Sequence, residues 1–370
     1  MKILAALKFR LFWALALGLV TTGFSQEKFV ESYNAGDDML VTLKTSYTNV
    51  IFETWNKDKV EVIAFIEAED VTKEQKIALF DAWNFEVLGN SKNVIITSSA
   101  MGNWNGNSLS SLEAQIGKEF DNDMQSSQAL GKVIERSVKI ANGISYSKTT
   151  LIDKDGAIKT IVKTKKAKKI PLVKRTIIIK MPKNTETDIN VRYGEIKMAD
   201  AFNVKATLNH TPFTADRIDG VQTLINASYA PVVVKHWQYG TLYVKFVDTC
   251  EIKTLESIQL NANSSDVFVG IISKEAYVTG SFGTLIIGKV ANNFTRLEIV
   301  LRNADASVAM PETPFTFLFN GKKSSLKHPK SLQFNTTKDA QRVLAKGFYK
   351  NASTSSNFLV NADYSNLILQ

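Results

Sequence analysis

The chain has 370 residues, 44% of them hydrophobic and 22% charged, with a formal net charge of +9 at pH 7. That balance describes a globular chain long enough for a large core or more than one domain. It excludes a polytopic helical membrane protein, since past the N-terminus no segment is apolar for long enough to span a bilayer, and the single cysteine, Cys250, excludes an intrachain disulfide.

The opening stretch, MKILAALKFRLFWALALGLVTTGFSQ, has a basic beginning (Lys2, Lys8, Arg10) and an apolar run from Leu11 to Val20. Gly23 and Ser25 then occupy the −3 and −1 positions of a cleavage site before Gln26. This pattern predicts a secretory signal peptide over 1–25. The chain is therefore expected in the periplasm, on the cell surface or in the extracellular space. Cleavage removes three basic residues and lowers the formal charge to about +6.

Residues 26–97 read as a β region with one helix. Leu40 to Glu69 alternates, turns at Asn49, turns again at Asn56-Lys57-Asp58 and alternates once more. Val60, Val62, Ala64 and Ile66 share one face. Thr72-Lys73-Glu74-Gln75 has capping-box form and is followed by Ile77, Leu79, Phe80 and Trp83 near helical spacing. FEVLGNSKNVIITSS then predicts a hairpin turning at Gly89-Asn90.

Residues 98–170 read as an insertion or linker. Ser98 to Gln115 is rich in Gly, Asn and Ser. Phe120, Met124, Ser127, Leu130, Ile134 and Val138 roughly follow a second helix, and Lys154-Asp155-Gly156 predicts a tight hairpin turn. The basic run Lys159 to Arg175 includes Lys165, Lys166, Lys168 and Lys169. It is a candidate contact for a polyanionic surface, although lysines on a solvated hairpin or loop edge are the favoured account, since no aromatic is interleaved for base stacking.

Residues 171–370 are repetitive. Turns at Gly194, Thr211, Ala230, Thr249, Ser265, Gly283 and Ala304 recur every 16 to 21 residues, and two more units turn at Asn320-Gly321 and Ser365-Asn366. Each unit is a strand, a short turn and a second strand, too small to bury its apolar face alone, so the units are expected to stack. The predicted fold is all-β, a β-solenoid or β-helix-like stack with one or two helices in the N-terminal half. A β-sandwich of meander hairpins is the alternative. The Ser46-Tyr47-Thr48-Asn49 turn matches NHTP, ASYAP, NSSD and GSFG of the later units, which makes Leu40–Glu69 an expected N-terminal coil or cap.

SYTNVIFETWNKDKVEVIAFIE, RTIIIKMPKNTETDINVRYGEIKM and the serial units after them resemble the bacterial putative adhesin family, exported proteins built from repetitive β-strands. The resembling features fall on Asn49, Trp55, Val60, Val62, Pro182, Lys183 and Gly194. The resemblance covers Phe29–Ala68 and about 175–370, and leaves 98–170 unexplained. It implies an exported β-repeat protein associated by name with adhesion, and it brings no catalytic residues.

Parallel β-helices also host polysaccharide lyases and hydrolases, which need grouped carboxylates. Asp248, Asp266 and Asp305 occupy similar places in their units and could form an acidic row, or simply serve turn chemistry. The three histidines, His210, His236 and His328, are isolated from one another, and no zinc, phosphate-loop or nucleophile-elbow motif occurs. His236, Trp237 and Tyr239 form the best candidate for an exposed contact platform, with core packing or an aromatic ladder as the competing account.

These readings point to an exported, non-enzymatic surface-interaction protein without a cofactor. Its expected partner is a glycan, a cell-surface polyanion or another envelope protein, and no nucleic acid. A carbohydrate-active enzyme using the acidic row, or a periplasmic scaffold or envelope-stress accessory, are the alternatives.

Overall fold

A computed structural model describes residues 28–69, 71–99, 132–141, 144–152, 158–166 and 173–370; between 132 and 166 it describes strands and their pairing. The signal segment and the Gly/Asn/Ser-rich stretch lie outside the described residues. The described chain is mostly β, with a 25-stranded sheet, a separate three-stranded sheet and one helix.

The helix, Lys73–Asp81, starts where its capping box predicts. The Thr72 hydroxyl accepts the Gln75 N–H, and Gln75 Oε1 accepts the Thr72 N–H at 2.9 Å, satisfying two donors that a helix start leaves unpaired. Just past its end Trp83 enters the core.

The large sheet is built from two parallel runs between which the chain alternates. Leu40–Ser46, Glu186–Arg192, Val204–Asn209, Leu224–Ser228 and Thr241–Lys245 succeed one another in the first run. In the second run they are matched by Asn49–Trp55, Glu195–Phe202, Phe213–Asp219 and Val232–Trp237. A strand therefore pairs with its next-but-one neighbour in sequence. The long strands Cys250–Asn263 and Val267–Ser281 serve both runs, bending through an irregularity between Leu255 and Ser257.

Constant register lines up the inward residues. Val191, Leu208, Ala227, Val244, Ala262 and Gly280 form one column, and Ile196, Phe213, Val232, Cys250, Val267 and Leu285 form another. Each fully buried aliphatic side chain contributes about 1.5–3 kcal/mol, which one two-strand unit could not secure alone. Cys250 sits inside the second column as a small apolar residue, and burial pushes its thiol pKa up to about 12. It is expected to resist a maleimide in the native protein and to react promptly in denaturing urea. Rapid native labelling would show that this column opens.

The turns joining the runs repeat one backbone device. Tyr47, Tyr193, His210, Tyr229, Phe246, Ser264, Phe282, Asn303 and Tyr364 all have φ between 46° and 62°. Each donates its N–H to a carbonyl of the adjacent turn, as in Tyr193 to Asn209 at 3.1 Å and His210 to Ser228 at 2.9 Å. The next residue is small, and its hydroxyl, where present, stitches neighbours together. Ser265 Oγ accepts the Val247 N–H at 3.0 Å, and Ser365 Oγ accepts the Ala304 N–H at 3.1 Å. The repeating turn thus centres on Phe246-Val247 rather than on Thr249, and on Lys323-Ser324 rather than on Asn320-Gly321, which lies inside the strand Phe315–Lys322.

Antiparallel strands extend both runs at one end and the first run at the other. At one end Lys59–Ala68 pairs with Val173–Pro182 and Lys28–Asn34, and Asn84–Gly89 forms the predicted hairpin with Asn93–Ser99. At the other, Arg342–Tyr349 pairs with Phe315–Lys322 and Gln333–Lys338. The outermost strands, Lys28–Asn34, Asn84–Gly89, Gln333–Lys338 and, in the second run, Ser325–Lys327, each pair on one side among the described residues. The last segment does not follow sequence order: Asn357–Asp363 lies between Arg296–Arg302 and Phe315–Lys322.

Within the 98–170 stretch the expected second helix does not extend to Ile134 and Val138. Ile134 and Val138 lie on the strand Lys132–Ala141, which pairs with Ile144–Ile152, which in turn pairs with Ile158–Lys166. β-branched residues stiffen the chain toward strand geometry and outweigh an approximate helical spacing. Phe120, Met124, Ser127, Leu130 and the Lys154-Asp155-Gly156 turn lie outside the described residues.

Candidate functional site: an aromatic ladder beside a polar groove

The left-handed turn residues carry rings more often than a strained backbone position normally would. Tyr47, Tyr193, His210, Tyr229 and Phe246 stack in succession with centroids 4.9, 5.0, 4.8 and 5.2 Å apart and interplanar angles of 16°, 11°, 13° and 19°. The spacing is that of neighbouring strands, so the ladder is a direct product of the parallel register. A non-glycine residue in the left-handed region costs about 1–2 kcal/mol, and a stacked pair contributes about 0.5–1.5 kcal/mol. Stacking therefore offsets much of the strain, which an isolated turn could not do. The ladder is solvent-exposed along its length.

Beyond Phe246 the row is interrupted. The next position is Ser264, and the one after it is Phe282, which is 63% exposed. The Lys245 ammonium lies 5.2 Å from the Phe246 centroid.

A depression of about 340 Å³ opens beside this interruption. Its first column of outward residues is Asn226, Tyr243, Asn261 and Thr279, aligned by the parallel register. The second is Ser228, Lys245, Asn263 and Ser281, each immediately preceding a residue of the turn row. The lining combines amide, hydroxyl and phenol groups and one ammonium with the apolar residues Ala227, Val244 and Ala262, and no carboxylate takes part. Asn261 Nδ2 is buried at this wall without a hydrogen-bond partner among the described residues, an arrangement that normally costs free energy.

The other sequence candidates are distributed differently. Trp237 is fully buried, with its indole N–H donating to the Tyr239 carbonyl at 2.7 Å. It fills the interior and is not part of an exposed platform, because strand parity turns it inward in the column with Ile218 and Leu255. His236, its neighbour in the strand, pairs in register with Arg217 and Thr254 on the outer side, and Tyr239 lies in the turn that follows. Lys165 and Lys166 are on the strand Ile158–Lys166, at one edge of the three-stranded sheet; Lys168 and Lys169 lie outside the described residues.

The three aspartates do not assemble into a row. Asp266 Oδ1 accepts the Thr284 N–H at 2.9 Å, and Asp305 Oδ1 accepts the backbone N–H and side-chain amide of Asn366 at 3.1 and 2.9 Å. Thr284 separates these two, and Asp248 is offset by one residue from their column. The Asp266 and Asp305 carboxylates act as caps between neighbouring turns. No group of three His, Cys, Asp or Glu that could hold a metal occurs among the described residues.

The sequence held a signal for the ladder that strand reading passed over: Tyr193, His210, Tyr229 and Phe246 recur at 17- to 19-residue intervals, each before a small residue or valine. Turn propensity singles out Asn, Ser, Asp and Gly, so a ring at a turn position carries no ordinary turn signal.

No protein-family model and no curated protein matches the chain. Among solved structures it is similar to a putative cell adhesion protein from Clostridium sporogenes ATCC 15579, at 8% identity and a TM-score of 0.18, over 93% of this chain and 98% of that one. It is also similar to a putative adhesin from Bacteroides fragilis NCTC 9343, at 8% identity and a TM-score of 0.33, over 94% and 98%. No helix among the described residues is long and apolar enough to cross a membrane.

Proposed function

We propose that the two parallel runs are the walls of a β-solenoid, and that the chain is an exported, non-enzymatic protein of adhesin type that presents its repeated outer columns to a partner in the cell envelope or outside it. The observation that carries this reading is the exposed turn-row ladder, in which five rings hold strained backbone positions on a surface rather than filling a core. The N-terminal signal pattern and the resemblance of Phe29–Ala68 and 175–370 to exported adhesins support it. The acidic row, dispersed as backbone caps, lends nothing to a hydrolase or lyase.

The test has two parts. The full chain expressed in a bacterium with an outer membrane is expected outside the cytoplasm with Gln26 at its N-terminus, read by N-terminal sequencing of cell fractions. The purified 26–370 chain, fluorescently labelled, is expected to bind intact bacteria saturably and to be competed off by unlabelled protein. Cytoplasmic retention with an intact N-terminus, or labelling that never saturates, would overturn the reading.

A further inference from the structure

We infer that the interruption of the aromatic ladder at Ser264, with the polar groove beside it, is a binding site for a neutral oligosaccharide, one of whose sugar rings takes the place of the missing rung. This inference rests on the reading of the chain as an exported binding protein and names the ligand class.

Neighbouring positions of the turn row are one strand apart, about 4.8 Å, and where rings are consecutive they stack at 4.8 to 5.2 Å. Phe246 and Phe282 are two positions apart in the same left-handed conformation, with φ 54° and 52°. Between them the backbone leaves roughly 10 Å, room for one further ring at the ladder's own spacing. Ser264 keeps the backbone of the row, with φ 48°, and contributes only a hydroxyl, which donates to Asn263 Oδ1 at 3.1 Å. Besides Tyr229, which stacks on it, the Phe246 ring is approached by the Lys245 ammonium, on a long side chain that can swing aside or contact the ligand.

Chemistry then selects the occupant. The C–H face of a pyranose packs on an aromatic face, while its rim of hydroxyls both donates and accepts hydrogen bonds. The groove offers matching groups: amides at Asn226, Asn261 and Asn263, the Tyr243 phenol and serine hydroxyls. The unpartnered Asn261 amide is a donor that a ligand hydroxyl would satisfy after a small rotation. A polyanion would need a cluster of cations, and Lys245 is the only one in the lining. The volume, about 340 Å³, lies at the lower end of small-ligand sites.

The test uses the 26–370 chain and a panel of neutral tri- to hexasaccharides of glucose, mannose, galactose and N-acetylglucosamine, with dextran sulfate alongside, measured by calorimetry. At least one neutral oligosaccharide is expected to bind. Ser264→Phe should fill the gap, preserve the melting temperature and abolish binding. Tyr243→Ala should weaken it about tenfold, the loss of roughly 1.4 kcal/mol. Absence of binding by any neutral oligosaccharide, or binding unchanged in a folded Ser264→Phe protein, overturns the inference. Salt-sensitive binding of dextran sulfate alone does the same and points to a polyanion. The labelled-cell assay separates the two readings. Saturable cell binding shared equally by wild type and Ser264→Phe sinks the groove and leaves the adhesin-type function standing. Oligosaccharide binding without cell binding does the reverse.

Discussion

Replacing Trp237 with alanine is expected to destabilise the protein by about 3–5 kcal/mol, the usual range for removing a large aromatic from a core. The side chain is wholly buried, facing Ile218 and Leu255 across the second run, and its N–H is satisfied by the Tyr239 carbonyl. The cavity it leaves is walled by rungs on both sides and cannot collapse without breaking their register. Trp237→Phe keeps most of the packing but leaves the Tyr239 carbonyl without that donor, so a smaller loss of about 1–2 kcal/mol is expected. Urea unfolding followed by far-ultraviolet circular dichroism separates the two. A Trp237→Ala protein with an unshifted midpoint would place the indole at the surface and contradict its role in the core.

The second large effect concerns Gly283. A Cβ on this residue would lie 2.1 Å from the Ser265 carbonyl oxygen and 3.0 Å from its backbone nitrogen. The clash is with backbone, so no rotamer relieves it, and the two turns must separate. Gly283→Ala is expected to cost about 3 kcal/mol, at the upper end for overpacking. Gly280, three residues away in the same segment, is the control. A Cβ there would meet the Leu301 side chain at 3.4 Å and the Ala304 methyl at 3.9 Å, ordinary contacts. Gly280→Ala should be near neutral, or stabilising by up to about 1 kcal/mol, through the reduced freedom of the unfolded chain. Equal effects at the two positions would mean that turn-to-turn approach does not limit this fold. Gly194 makes the same close approach to the Thr48 carbonyl oxygen, at 2.1 Å, so the device recurs where the N-terminal strands meet the repeats.

These two positions differ in how far the sequence announces them. The inward face of Trp237 follows from strand parity, yet its companion Tyr239 suggested an exposed pair, because alternation alone does not say where a strand ends. The strand stops at Trp237, and Tyr239 begins a turn. Gly283 was legible as a turn glycine, but the contact that makes it indispensable is with a turn eighteen residues earlier. Local pattern carries no information about which turn lies above which.

The sequence by itself determined the strand-turn-strand units and their alternating burial, the capping box of the helix at Thr72, the hairpin at Gly89-Asn90 and the buried character of Cys250. All of these depend on residues within about one turn or one strand of each other, where propensity and periodicity act. Only the tertiary structure decided that Leu40–Ser46 pairs directly with Glu186–Arg192 and that Asn357–Asp363 slots in beside Arg296–Arg302 ahead of Phe315–Lys322. It alone brought Tyr47, Tyr193, His210, Tyr229 and Phe246 into one stack that stops at Ser264. The reason is physical: backbone pairing between strands is nearly blind to sequence, so stacking order is chosen by which arrangement buries every apolar face at once. That is a property of the whole chain, and the ladder and its gap are its consequence.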